Sequence, residues 1–419
     1  MFKTVTTKIN YRIKINIMSS NESLVFQESI PLSLYIHIPW CIKKCPYCDF
    51  NSHTYTDELP EEKYIDCLLE DLTNELPRVW GRRLISIFIG GGTPSLFSAK
   101  AIERLLEGIN ILLPFHKDLE ITMEANPGTF EQTKFSNFYS AGINRLSLGI
   151  QSFSKEKLKA LGRVHDDKEA LNAIKIARKA GFTNFNLDIM YALPEQTLNE
   201  AILDISKAIE QEPNHISWYQ LSLEPNTAFY HKPPNIPTND VAWQIQEQGQ
   251  ALLAEHNYKQ YEISAYATDN KQSTHNNNYW HFGDYLGIGA GAHGKITNVS
   301  NNTIERTTKY RSPKDYLNKR NNDYTSSNKI ISKQELPFEF MLNALRLTDG
   351  FNLKLYEQRT GLPFADIQSI MESAKKRDLI DIDNARMRTT KLGRRFTDDL
   401  IMMFMGKNHV SSQIPNKGV

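Results

Sequence analysis

Three of the four cysteines in this 419-residue chain, Cys41, Cys45 and Cys48, fall in one eight-residue stretch, CIKKCPYC, directly after the β-type run LYIHI at 34–38. Thiols spaced this closely are a ligand cluster and not a disulfide framework. Together they can take three corners of an iron–sulfur cubane, which leaves the fourth iron open. Electron-transfer clusters use a fourth cysteine, but the remaining one, Cys67, lies nineteen residues on in an amphipathic helical pattern and reads as a buried small hydrophobe. Zinc held by the three cysteines with His37 or His53 is the alternative. Zinc motifs, however, bring their ligands as two separated pairs, and this loop has one unbroken triplet.

The strand before the cysteines is the first of six β-type runs. The others are LISIFI from Leu84, LEITM from Leu119, LSLGI from Leu146, FNLDIMY from Phe185 and ISWYQLSL from Ile216. Helical patterns lie between them: Tyr64, Ile65, Leu68, Leu69 and Leu72; Ile102, Leu105, Leu106, Ile109 and Leu112; Leu198, Ile202, Ile205 and Ile209. Alternating strands and helices predict a parallel sheet with helical crossovers. Periodicity leaves open whether that sheet is doubly wound or curled into a full or partial barrel. In either form ligands gather at the C-terminal strand ends. The unusual residues fall there: the cysteines after strand one, GGTP at 91–94 after strand two, Glu124, Asn126 and Pro127 after strand three, Gln151 after strand four, and Asp188 within strand five.

Beyond residue 225 the pattern weakens through Pro233, Pro234 and Pro237, an Asn-rich stretch near 275 and a polar run at 318–328, which read as linkers and loops around a few strands. GIGAGAHG at 287–294 lacks a strong following helix and reads as a tight turn near the core, not a nucleotide fingerprint. From Glu335 a small helical unit around Phe340, Leu342 and Leu345 precedes a second helix around Ile367, Ile370 and Met371. LIDI at 379–382, a turn at Asp383 and Asn384, and MRTT at 387–390 then complete a winged-helix-like order. The wing's Arg386, Arg388, Lys391, Arg394 and Arg395 are diluted by Asp378, Asp381, Asp383, Asp398 and Asp399, so this unit reads as a packing or docking module and no nucleic-acid partner is expected. IMMFM at 401–405 reads as the core face of a helix.

The expected division is a flexible segment 1–30, a barrel unit 31–265, a connecting region 266–330, the winged-helix-like unit 331–408 and a disordered tail 409–419. Residues 1–20 carry Lys3, Lys8, Arg12 and Lys14 without an acid, and Met18 looks like an alternative start, so the first seventeen residues are expected to be structurally dispensable. No apolar run is long enough to span a membrane, and the first twenty residues lack the apolar core a secretory signal needs, so none is expected. Forty-nine basic against forty-eight acidic residues give a net charge of +1, so no uniform field draws the whole chain to nucleic acid or an anionic membrane. With the sparse cysteines, these features predict a cytoplasmic protein.

Cysteines separated by three and then two residues after a strand resemble the radical S-adenosylmethionine (SAM) signature. More specifically, YIHIPWC, CPYCDF, GGTPS, EANP, LSLGIQ, LGRVH, DIMYALP and HNNNYW together resemble the oxygen-independent coproporphyrinogen oxidase family and, within it, the heme-chaperone branch, over nearly the whole chain after residue 31. This resemblance implies a radical-SAM partial (β/α)6 barrel with a small C-terminal winged-helix-like α+β domain. It also implies a 4Fe-4S cluster on Cys41, Cys45 and Cys48, and SAM contacts at Tyr35, Tyr47, Gly91, Gly92, Thr93, Glu124, Gln151, Arg163 and Asp188. Those types suit SAM: carboxylates accept from ribose hydroxyls or the amino group, an arginine pairs with the methionine carboxylate, and glycines admit close backbone approach. In HNNNYW, His275 is the implied heme ligand, with Tyr279 and Trp280 to cover a porphyrin face. His37, His53, His165 and His293 are further candidates for heme ligation or for plain hydrogen bonding. The implied function is a heme chaperone that carries SAM at its open iron and passes heme to an acceptor protein, such as a membrane-associated respiratory one; the alternative is radical decarboxylation of coproporphyrinogen. Phe50 stands where the oxidase branch has a further cysteine, and the segment before the first strand is shorter, which both weigh against the oxidase.

Overall fold

The computed structural model describes residues 24–26, 29–55, 58–128, 134–268, 270–319 and 323–405. The basic N-terminal stretch with Met18, and the tail 409–419, lie outside them. Six parallel strands, β1 (Leu32–Ile38), β2 (Leu84–Gly91), β3 (Phe115–Ala125), β4 (Arg145–Gln151), β5 (Phe185–Tyr191) and β6 (His215–Gln220), pair in simple chain order. Because the order never reverses, every crossover steps the same way, which is the winding of a (β/α) barrel and not of a doubly wound sheet.

Period-two alternation decides what each face does. Leu34, Ile36, Ile87, Ile89, Met123, Leu146, Leu148, Leu187, Ile189 and Ile216 are fully buried in one core. They pack there with the apolar sides of α1 (Glu61–Glu75), α2 (Ala99–Leu112), α3 (Asp167–Lys179) and α4 (Leu198–Glu210). Each such side chain contributes about 1.5–3 kcal/mol of burial. The intervening positions are mostly polar: Ser33, Ser86, Glu124, Ser147, Asn186, Asp188, Ser217 and Tyr219. These polar positions sit side by side across the strands, Glu124 opposite Ser147, Ser147 opposite Asn186, and Asp188 opposite Ser217. Helix starts are fixed locally. Asp166 with Glu169 and Thr197 with Glu200 form capping boxes at α3 and α4, each worth about 1 kcal/mol.

The barrel is incomplete. Past β6 the sheet ends in antiparallel β8 (Ala265–Ala267) and β7 (Lys259–Glu262). Past β1 it continues through parallel β9 (Asp284–Ile288) and antiparallel β10 (His293–Asn298), β11 (Thr303–Lys309) and β12 (Thr325–Ile330). Within the expected connecting region 266–330, residues 284–330 contribute four strands to the sheet, and the tight turn expected in 287–294 falls between the first two of them, with Gly289 at φ +100° and Gly291 at φ +81°. After α5 (Asn239–Glu255) comes α6 (Thr274–Trp280), which carries HNNNYW and spans the early strand residues as a floor. There Glu120 on β3 accepts from the backbone N–H groups of Thr274 (3.0 Å) and His275 (3.1 Å), and Asn278 donates to Ser33 Oγ (2.9 Å).

The C-terminal unit has the expected winged-helix-like order. Helices α7 (Leu336–Ala344), α8 (Leu353–Thr360) and α9 (Gln368–Lys376) pack with a three-stranded sheet of β13 (Phe351–Asn352), β15 (Arg386–Thr389) and β14 (Ile380–Asp383). Of the segment expected to be flexible, Leu24, Phe26 and Ile30 are buried in this unit's own core, and Val25 donates to Gly361 O (3.2 Å). No helix among the described residues is long and apolar enough to cross a membrane.

Candidate metal centre and ligand cavity

The cysteine loop leaves β1 and returns through a short parallel ladder of Trp40–Cys41 with His53–Thr54. Bonds from His53 N to Pro39 O (2.7 Å) and from Lys44 Nζ to Phe50 O (3.2 Å) and Ser52 O (3.4 Å) close it into a rigid excursion. Its base abuts the glycine turn after β2: Gly92 N donates to Ile38 O and Thr93 N to Trp40 O, both at 2.7 Å. Here glycine is required. Gly91 sits at φ +116° with the His37 ring 2.6 Å from where a Cβ would stand, and a Cβ on Gly92 would lie 2.4 Å from Trp40 O.

Cys41, Cys45 and Cys48 line one cavity of about 480 Å³ together with Tyr47, Gly91, Gly92, Thr93, Glu124, Gln151, Arg163 and Asp188. Cys41 is buried and the other two thiols half-buried. Burial raises the thiol pKa of Cys41 and Cys48, and neighbouring sulfurs raise Cys41 further, so the thiolates call for a cationic partner. No three His, Cys, Asp or Glu side chains among the described residues stand close enough to share one metal ion. His37 is also spent elsewhere: Nε2 donates to Asn51 O (2.9 Å) and Nδ1 accepts from the Tyr35 hydroxyl (3.0 Å).

Arg163 ties the cavity together. Its guanidinium donates to Asn126 Oδ1 (2.5 Å), Gly149 O (2.9 Å) and Cys45 Sγ (3.7 Å), and Asn126 in turn donates to Thr93 Oγ1 (3.0 Å). Glu124 accepts from Gly91 N (3.0 Å); burial, then the Asp188 charge, push its carboxyl up to about 8. Burial also raises Asp188, which Ser147 (2.9 Å) and Asn186 (2.9 Å) hold by hydrogen bonds. Gln151 adopts φ +68°, a conformation rare outside glycine, and accepts from the Tyr219 hydroxyl at 2.8 Å. Two carboxylates that resist ionising alone, a guanidinium and an amide on one wall beside three thiols match a ligand with an ammonium, a sulfonium, a carboxylate and a ribose diol.

Two of the expected contacts lie apart from this cavity. Tyr35 is engaged with His37 and stacks on Phe88. His275 is buried in the floor helix, with Nδ1 hydrogen-bonded to Ser86 Oγ and Nε2 to the Tyr279 hydroxyl, both at 3.0 Å, and burial lowers its pKa to about 3. No histidine lines the cavity among the described residues, whereas Asn276 and Trp280 of the same motif do. Phe50 is exposed on the cavity lip. Sequence reasoning missed Tyr219 and Arg346, which also line the cavity.

Comparison with known proteins follows the same outline. A model of the Radical SAM superfamily matches residues 35–206, and one of the HemN C-terminal domain matches 331–396. The chain is 48% identical over 380 residues to heme chaperone HemW of Haemophilus influenzae, covering 90% of this chain and 98% of that one. It is 47% identical to heme chaperone HemW of Escherichia coli (90% and 99%) and 31% to that of Bacillus subtilis (90% and 99%). Among solved structures it is similar to coproporphyrinogen III oxidase (HemN) from Escherichia coli, with a TM-score of 0.76, 24% identity and 90% of each chain covered, a likeness of fold.

Proposed function

The chain belongs to the radical SAM superfamily and, within it, to the HemW heme-chaperone family, and on that premise we propose that it binds heme and delivers it to an acceptor protein, with a 4Fe-4S cluster on Cys41, Cys45 and Cys48 and SAM at the open iron. The observation that carries this reading is the single cavity that the three thiols share with Glu124, Gln151, Arg163 and Asp188. When bound, the cluster supplies an iron site free for an exchangeable ligand. The chain's own residues do the rest. Arg163 pairs with the methionine carboxylate while fixing Cys45 and Asn126. Glu124 and Asp188 accept from the ammonium and ribose hydroxyls, and Tyr219 orients Gln151 toward the same ligand. Gly91 and Gly92 let backbone groups approach it.

The oxidase reading draws less support. The relatives at 48% and 47% identity are named heme chaperones, the oxidase likeness at 24% speaks to fold, and Phe50 occupies the lip where the oxidase branch has a cysteine. We place the protein in the cytoplasm on its sparse, ligand-type cysteines, and assign the acceptor to the membrane-associated respiratory proteins, which depend on heme.

Axial ligation by His275 belongs to the same proposal and requires one ring nitrogen to leave Ser86 or Tyr279. Titrating cluster-loaded protein with heme tests both points: a shift of the Soret band is expected in the wild type, and a smaller shift in His275→Gln, which can still bond both neighbours. A wild type without a shift would overturn heme binding, and an unchanged shift in the variant would remove His275 alone.

A further inference from the structure

The cavity does not end at the thiols. It continues to the open side of the barrel, where Glu262, Ser264, Asn276, Trp280 and Arg346 line it. Arg346 comes from the C-terminal unit, just beyond α7, and its backbone is pinned to the barrel edge: Leu347 bridges Glu262, and Thr348 N donates to Tyr261 O at 3.0 Å. From that anchor the guanidinium lies over the Trp280 ring, 4.3 Å from its centroid. It donates to Glu262 Oε2 through Nε (3.2 Å) and Nη2 (2.8 Å).

Glu262 is a fixed partner. Its other oxygen, Oε1, accepts from Ser264 N (3.1 Å) and Oγ (2.9 Å), and its side chain is only 3% exposed. The pairing is not the two-oxygen fork that arginine makes with a carboxylate at its best, because both donors converge on one oxygen. Its Nη1–Nη2 edge is left to offer two parallel N–H groups, and Arg346 remains 29% exposed at the cavity. A cation held over an indole, steered by a buried glutamate and presenting an unused edge, suits a planar conjugated ligand with carboxylates on its rim.

We propose that this lateral mouth is a carboxylate-docking subsite, in which Arg346 binds a propionate of the tetrapyrrole whose macrocycle stacks on Trp280. Glu262 is a positioning residue that holds the guanidinium plane. The inference rests on the heme-binding reading and names the site at which heme's acidic edge is read. It gives the C-terminal unit a direct part in binding, because the barrel alone supplies the indole and the glutamate but not the cation.

The test compares heme with heme dimethyl ester, whose propionates are neutral, on the full cluster-loaded chain as wild type, Arg346→Gln and Arg346→Lys, with thermal stability measured alongside. Wild type should bind heme about tenfold tighter than the ester. Arg346→Gln should bind both ligands with the ester's affinity, and Arg346→Lys should fall between. Arg346→Gln that keeps the full preference for heme over ester overturns the subsite alone. So does a variant that loses affinity for heme and ester equally together with thermal stability, the signature of a mere staple between the units. A wild type that binds neither ligand overturns the heme reading and this inference with it.

Discussion

Glu124 carries a direct consequence for pH. Its carboxyl is raised from 4.5 to about 8, by burial first and the Asp188 charge second. A raised folded-state pKa means that the folded protein holds the proton more tightly than the unfolded chain. That contribution to stability is complete below about 4.5 and is lost as pH climbs through about 8. Ligand-free wild type should therefore lose on the order of 4 kcal/mol relative to Glu124→Gln between pH 5 and 9 in urea denaturation; parallel profiles would contradict the assignment. At this scale much of the site was legible. Eleven expected residues, from Cys41 to Asp188, share the cavity, because strand ends and glycine turns mark the rim in any parallel α/β fold. Tyr219 was overlooked although the clue was present: Ile216 and Trp218 are the apolar set of their strand, so alternation places Ser217 and Tyr219 on the opposite face. Arg346 had no local signal, since it reaches the cavity only through the packing of a second unit.

Among the elements, the six parallel strands and their helices followed from apolar periodicity, and the misplacements have physical causes. Strand β3 begins at Phe115, ahead of the apolar LEITM run, because His116, Lys117 and Asp118 extend the strand into solvent. Strand β12 looked like linker because its side chains are largely exposed; backbone pairing with β11 forms it, and pairing leaves no hydrophobic pattern. HNNNYW looked like a loop because its polar side chains are buried against a polar barrel interior, an environment that composition does not reveal. That floor depends on one carboxylate, Glu120, which takes the Thr274 and His275 N–H groups and the Ser273 hydroxyl. Glu120→Ala should destabilise the protein by about 2–3 kcal/mol, because charge-assisted bonds at a buried helix start are lost together. Chemical denaturation checks this, and a change below about 0.5 kcal/mol would show that the floor is held by packing instead.

Among the described residues the two largest cores meet at the open side of one barrel: the main core under the six strands, and a second under the C-terminal helices that also takes up Leu24, Phe26 and Ile30. The junction runs past the same cavity that begins at the cysteine loop, so the sites proposed for cluster, SAM and tetrapyrrole share one continuous space. All of it depends on three thiols from one loop acting together. Iron and acid-labile sulfide counted on protein prepared without oxygen, wild type beside a variant with Cys41, Cys45 and Cys48 all changed to alanine, test this most directly. The account predicts about four irons and four sulfides per wild-type chain and neither in the variant. A folded wild type without iron, or a triple variant that keeps its iron, would contradict it.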